Sequence, residues 1–315
     1  MDPDDSTGPA GADHPERAPA PAGRRRPRWL PVAIAVAASL LMLATVVVVS
    51  DVVSGDGDTA SGITPAADPS APDSAATALR DSEAQLATVD CEPGELRPGR
   101  DAARAYYREV LDCLDRAWQP VYDRMGVRPQ PASVDVADVR TTECGELPPA
   151  DRALGLYCDA DHTIHLPYSR LTTAVGGTDE PAFLATLAHE YGHHVQALTG
   201  VFTETGNAMS DADGAAESEV GRRFELQATC FAGLFLDAAR DTGLAGPSGG
   251  PEVAVQDFAN WSGGESHGGA RLQQQWATTG FTGDSVAACD TWSARAADIG
   301  GAGEWSGGSS SPASP

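Results

Sequence analysis

The sequence predicts a helix-rich α+β domain with a small sheet, preceded by one transmembrane helix. Three observations predict this. Three long stretches repeat apolar residues every three to four positions, as helices do. Only two short stretches, 133–139 and 163–166, read as strands. Residues 30–49 carry no charge and are mostly Ala, Val, Leu or Ile.

Residues 1–28 are rich in Pro, Ala, Gly and Asp, lack apolar periodicity and read as a disordered cytoplasmic tail. The tail ends in Arg24, Arg25, Arg26 and Arg28. Residues 29–50 read as the anchor: at ~1.5 Å per residue the uncharged run spans about 30 Å, the thickness of bilayer hydrocarbon. Arginines before it and Asp51 after it place the N-terminus in the cytoplasm and the rest outside the cell membrane. The run exceeds the apolar core of a cleaved secretory signal, and no clear A-x-A site follows it. Residues 51–80 have little to bury and read as a flexible stalk; residues 300–315 resemble them. Residues 81–299 remain as one domain.

Within that domain Arg100–Trp118 predicts an amphipathic helix with Ala103, Tyr106, Tyr107, Val110, Leu111 and Leu114 inward. Ser133–Val139 alternates as a half-buried strand, and Cys144 to Cys158 encloses a Gly/Pro-rich loop. Thr163–Leu166 predicts a second strand, with a cleft-lining role for it as one expectation. Asp179, Glu180 and Pro181 signal a helix start, followed by the stripe Leu184, Leu187, Tyr191, Val195 and Leu198. Gly200–Met209 reads as a loop. Ser210 and Asp211 then read as caps of a long helix to about Arg240, with Val220, Phe224, Ala228, Phe231, Phe235 and Ala238 inward. Gly243–Gly250 breaks the chain, and a last helix is expected near Ala270–Thr278.

The formal net charge is −24, which disfavours nucleic acid and anionic lipid as partners. The six cysteines form no CxxC pair, so a cysteine zinc site is not indicated, and outside the cell they suggest disulfides. Nothing in the sequence specifies an oligomeric state.

Chemistry concentrates in His189-Glu190-Tyr191-Gly192-His193, which fits the pattern HExxH. Four helical residues advance roughly 6 Å and about 40° past a full turn, so His189 and His193 share a face and can grip one zinc ion. They lie nearly opposite the apolar stripe. Glu190 is ~100° round the helix, better placed to hold water at the metal than to bind it. A catalytic zinc needs a third protein ligand and an open position. His162, His165, His194 and His267, and Glu217, Glu219 and Glu225 on the long helix, all qualify chemically. Spacing does not choose among them. By its wheel position His194 reads as a core histidine, and Tyr191 as packing.

HEYGHHVQ, then ELQATCFAG at 225–233, ESHGGARLQQQW at 265–276 and GFTGDSVAACDTW at 280–292 resemble the neutral zinc metallopeptidase family of membrane-anchored bacterial proteins. Cys144-Gly145 and Leu156-Tyr157-Cys158-Asp159 are similar to it too. The resemblance implies a zincin-like fold, peptide or protein substrates and one Zn2+ held by His189, His193 and Glu225. It implies Glu190 as general base toward a water polarised by the metal. It favours disulfides Cys230–Cys289 and Cys144–Cys158, leaving Cys91–Cys113. In the family-like SHG turn, His267 is a candidate catalytic donor to the developing carbonyl oxyanion. One departure stands out: the family usually carries aspartate where this chain has Thr229. An aspartate there would hold a ligand histidine from behind, and threonine brings no charge. The rival expectation is therefore a catalytically weak zinc-binding ectodomain that binds or senses; a peptidoglycan amidase shares the metal chemistry.

Overall fold

The structure, a computed structural model, describes residues 75–300 except 245–248, 262–263 and 265. The expected tail 1–28 and anchor 29–50, most of the stalk, and residues 301–315 lie outside the described residues. Among the described residues no helix is long and apolar enough to cross a membrane.

The helices are α1 (Ala75–Arg80), α2 (Arg100–Met125), α3 (Tyr168–Ala174), α4 (Glu180–Leu198), α5 (Val201–Ser210), α6 (Gly214–Ala238), α7 (Gly250–Asp257) and α8 (Ala270–Thr282). The strands are β1 (Ser133–Asp135), β2 (Thr141–Thr142), β3 (Gly145–Glu146), β4 (Leu156–Cys158) and β5 (Thr163–His165). The helix-rich α+β expectation holds. The core lies between α2, α4 and α6, where Trp118, Tyr107, Phe183, Tyr191, Phe231 and Phe235 are fully buried. All six apolar positions expected on α2 are buried. That helix outruns its predicted end by seven residues despite Pro120, because Val121 and Tyr122 continue the buried stripe.

The sheet has the order β1-β5-β4, with β1 parallel and β4 antiparallel to β5. Both edges of β5 are therefore hydrogen-bonded, so Thr163–Leu166 cannot offer its backbone to a ligand. The sheet's two edges belong to β1 and β4, and β4 lies inside the stretch read as a loop.

The α4 helix is buried along its whole length from Pro181 to Gln196, not on one stripe alone. One reason is Gly192. A Cβ there would lie 2.6 Å from the Ala228 carbonyl oxygen and 2.9 Å from its Cα, so only glycine lets α6 approach this closely. The histidine face is thus covered by a second helix. Asp179 occupies the N-cap position of α4 with extended backbone, but its carboxylate makes no capping bond.

Three further expectations are corrected. Residues 201–210 form α5, not a loop; Val201 and Thr205 bury one side of this short helix. The long helix starts at Gly214 after Asp213, not at Ser210. Helix α1 falls within the segment read as stalk, yet Ala76 and Leu79 are buried in the core. The chain after it is strapped down: the Ser82 and Ala84 carbonyls accept from the Ala287 and Val286 amides at 2.9 and 3.0 Å. The disulfides are Cys91–Cys113, Cys144–Cys158 and Cys230–Cys289, as expected.

Candidate metal centre

Helices α4 and α6 cross where Gly192 meets Ala228, and the crossing decides which carboxylate reaches the two imidazoles. Glu225 lies one turn before this contact. Its Oε2 is 3.3 Å from His189 Nε2 and 3.2 Å from His193 Nε2. One ligand atom from each of His189, His193 and Glu225 falls within 4.8 Å of the others, the one such group of three among the described residues. The other candidates are elsewhere. Glu217 is exposed at the start of α6, and Glu219 pairs with Arg223 at 2.8 Å. His194 is fully buried between the Tyr157 hydroxyl (3.0 Å) and the Gln130 carbonyl (2.8 Å). His162 contacts the same hydroxyl at 2.8 Å, and His165 lies 3.7 Å from Asp135.

Each imidazole is held from behind through Nδ1. His193 Nδ1 is 2.8 Å from Gln196 Oε1, and His189 Nδ1 is 3.1 Å from Thr229 Oγ1. The Gln196 amide is itself oriented, since its Nε2 donates to the Phe224 carbonyl at 2.8 Å and to Gln227 Oε1 at 3.1 Å. A carbonyl can only accept, so Gln196 Oε1 must face His193, and His193 Nδ1 carries the hydrogen. In the neutral ring Nε2 then keeps the lone pair, on the side of Glu225. Gln227 continues the chain to the Cys289 carbonyl at 3.3 Å and accepts from Trp292 Nε1 at 3.3 Å.

This donor set suits zinc: two imidazole nitrogens and one carboxylate oxygen, with outer partners already made. The two imidazoles differ in their electrostatics. Burial lowers the His189 pKa to about 4. Burial would also lower that of His193, but the adjacent Glu225 charge outweighs it and raises it to about 9. Burial works against an ionised Glu225 too, yet His193 and His267 hold its pKa well below the usual carboxylate range.

Glu190 lines a cleft open to solvent together with His189 and His267. Burial raises its pKa to about 7. Its carboxylate packs against Gly155, where a Cβ would sit 2.7 Å from Oε1. The cleft floor carries His189, Glu190 and Thr186; residues 150–155 of the disulfide-closed loop form one wall, and Trp261 and His267 line it as well. Trp261 meets the His189 ring edge-on at 5.1 Å. His267 Nε2 lies 3.3 Å from Glu225 Oε2, and its Nδ1 lies 3.0 Å from the Ser266 hydroxyl. The structure therefore brings all five sequence-predicted site residues together.

Sequence reasoning assigned no role to Gln196, Gln227, Gly155 or Trp261. Gln196 was findable, since it stands three residues after His193 and so shares its helix face. The others meet the site only through tertiary contacts.

The sequence model of a family described as "Putative neutral zinc metallopeptidase" matches residues 46–249. That span includes His189, Glu190, His193 and Glu225 and stops short of His267. The chain is similar to the uncharacterized protein Rv2575 of Mycobacterium tuberculosis, at 32% identity over 65% of this chain and 76% of that protein. It is also similar to the uncharacterized protein YpfJ of Escherichia coli, at 29% identity over 57% of this chain and 61% of that protein. No solved structure matches it.

Proposed function

Because the chain belongs to the neutral zinc metallopeptidase family, we propose that it is a zinc-dependent peptidase with a zincin-like fold, using Glu190 as its base. One observation carries the reading. Three potential ligands lie within 4.8 Å, and beside them is a buried carboxyl with pKa about 7 in a cleft open to solvent.

His189 Nε2, His193 Nε2 and a Glu225 oxygen would hold the ion. Zinc bound there would supply Lewis acidity toward water and the scissile carbonyl. Glu190 accepts the proton of the attacking water and passes it to the departing amine. A pKa near 7 suits both transfers. His267 is within reach of the same centre and, through Nε2, can donate to the carbonyl oxygen as charge develops there. Gly155 keeps the wall clear of Glu190, since any side chain there would press on the carboxylate.

The proposal extends to placement: residues 29–50 anchor the chain once in the cell membrane, with the N-terminus cytoplasmic and residues after 50 outside. The three disulfides are consistent with an oxidising compartment. Thr229 favours one alternative, a zinc-binding module of weak or no activity, because a hydroxyl backs His189 where the family usually has a carboxylate.

The test is Glu190→Gln. It should still bind about one zinc per chain and should lose peptide cleavage by about 10²- to 10⁴-fold. Undiminished cleavage would remove Glu190 from the mechanism. Absence of cleavage by both proteins across a broad peptide library would favour the binding module.

A further inference from the structure

We propose that Arg152 forms a carboxylate-binding subsite in the cleft, so that the preferred peptides carry a carboxylate close to the bond that is cleaved. The inference rests on the peptidase reading for the position of that bond. Apart from histidine, Arg152 is the one cationic residue among those lining the cleft. It is exposed, and its side chain makes no hydrogen bond or ion pair among the described residues. The rest of the wall near it is apolar: Ala150, Ala153, Leu154 and Gly155. An unpaired guanidinium on an apolar wall, in a protein of formal net charge −24, creates a local site that favours an anion.

The backbone beneath Arg152 is held in several ways. Its amide donates to the Pro149 carbonyl at 2.9 Å, as does that of Ala153 at 3.2 Å. Arg170 Nη1 donates to the Pro148 and Ala153 carbonyls at 2.6 and 3.2 Å, on either side of Arg152. Cys144–Cys158 closes the loop. The subsite is thus built on a fixed wall, which lowers the entropic cost of using it. It is also near the chemistry. Gly155, three residues on, abuts Glu190, and three extended residues span at most about 11 Å. A peptide in the cleft covers that backbone distance in about three residues, which places the carboxylate within a few positions of the scissile bond. The carboxylate can be an acidic side chain or a free C-terminus.

The experiment uses the zinc-loaded full chain and C-terminally amidated peptides in which one Glu is replaced by Gln at each position near the cut. A parallel set of neutral peptides carries a free or amidated C-terminus. Wild type should prefer the carboxylate-bearing member of one set by about tenfold in kcat/KM, the size of one charge-assisted hydrogen bond. Arg152→Ala should erase that preference, and Arg152→Glu should reverse it toward Lys peptides. Which set responds identifies the side-chain or terminal source. Binding of the same peptides to Glu190→Gln, followed by fluorescence anisotropy, should show the same ordering. Cleavage without carboxylate preference, or a preference that survives Arg152→Ala, overturns the subsite and leaves the peptidase reading intact. Arg152-dependent binding without any cleavage by wild type does the reverse. Neither binding nor cleavage overturns both.

Discussion

His189 and His193 present the same nitrogen to the same carboxylate oxygen, at 3.3 and 3.2 Å, yet different chemistry holds them from behind. His193 rests on Gln196, an amide whose orientation is dictated by the Phe224 carbonyl and which continues through Gln227 to Trp292. His189 rests on the Thr229 hydroxyl at 3.1 Å. A hydroxyl both donates and accepts, so it does not select which ring nitrogen carries the hydrogen. One candidate metal ligand is thus prepared in a single tautomer and the other is only located. The comparison separates two tasks that an outer partner performs: placing a ring and choosing its proton.

The largest effect is expected where preparation is strongest. Gln196→Leu removes the acceptor behind His193 and also strands the Phe224 carbonyl and Gln227 in a buried site. Zinc affinity, measured by competition with a chromogenic chelator, should fall by about 100-fold, the upper end for lost outer partners. Thr229→Val should cost less, about tenfold. Equal losses, or a larger loss at Thr229, would dissolve the distinction.

The two imidazoles should also differ in their protons. In the metal-free protein His193 has a pKa of about 9 and His189 about 4, so near pH 7 the first is charged and the second neutral. Zinc requires a lone pair on each, so only His193 must release a proton there. Zinc affinity should rise about tenfold per pH unit from pH 7 toward 9 and then flatten. Calorimetry at pH 7 in buffers of different ionisation enthalpy should find about one proton released per zinc. Glu190→Gln removes the nearby carboxyl whose pKa is about 7 and should leave that release in place. Zinc uptake without proton release would mean that His193 is already neutral.

The same contrast explains what could be read from the sequence. The His189–His193 pair was legible because helical spacing alone places it. Glu225 was chosen by resemblance; spacing left it level with Glu217 and Glu219, because the choice depends on Gly192 admitting the Ala228 backbone. Periodicity reports the faces of one helix, so it marked the apolar stripe of α4 and missed that α6 covers the opposite face. Helix α5 was unreadable for a related reason: its ten residues hold a glycine and few strong helix formers, and its order comes from burying Val201 and Thr205. Arg152 and Gly155 lie in a loop whose place against Glu190 is set by the sheet, and no local pattern signals it. Gln196 is the instructive case, since its position three residues after His193 was visible and its role was not.

The smallest expected effect tests the weaker side directly. Thr229→Asp introduces the residue that the family resemblance leads one to expect one turn after Glu225. A carboxylate can only accept, so it would commit His189 Nδ1 to carrying the hydrogen and leave the Nε2 lone pair for the metal, as Gln196 does for His193. Zinc should then bind several-fold tighter, up to about tenfold. Thr229 is almost fully buried, close to the ionised Glu225, so the metal-free variant should melt at a lower temperature than wild type. Adding zinc should reverse that loss. A variant that binds zinc no more tightly than wild type would show that a hydroxyl suffices behind His189, and that the unequal support of the two histidines has no consequence for the metal.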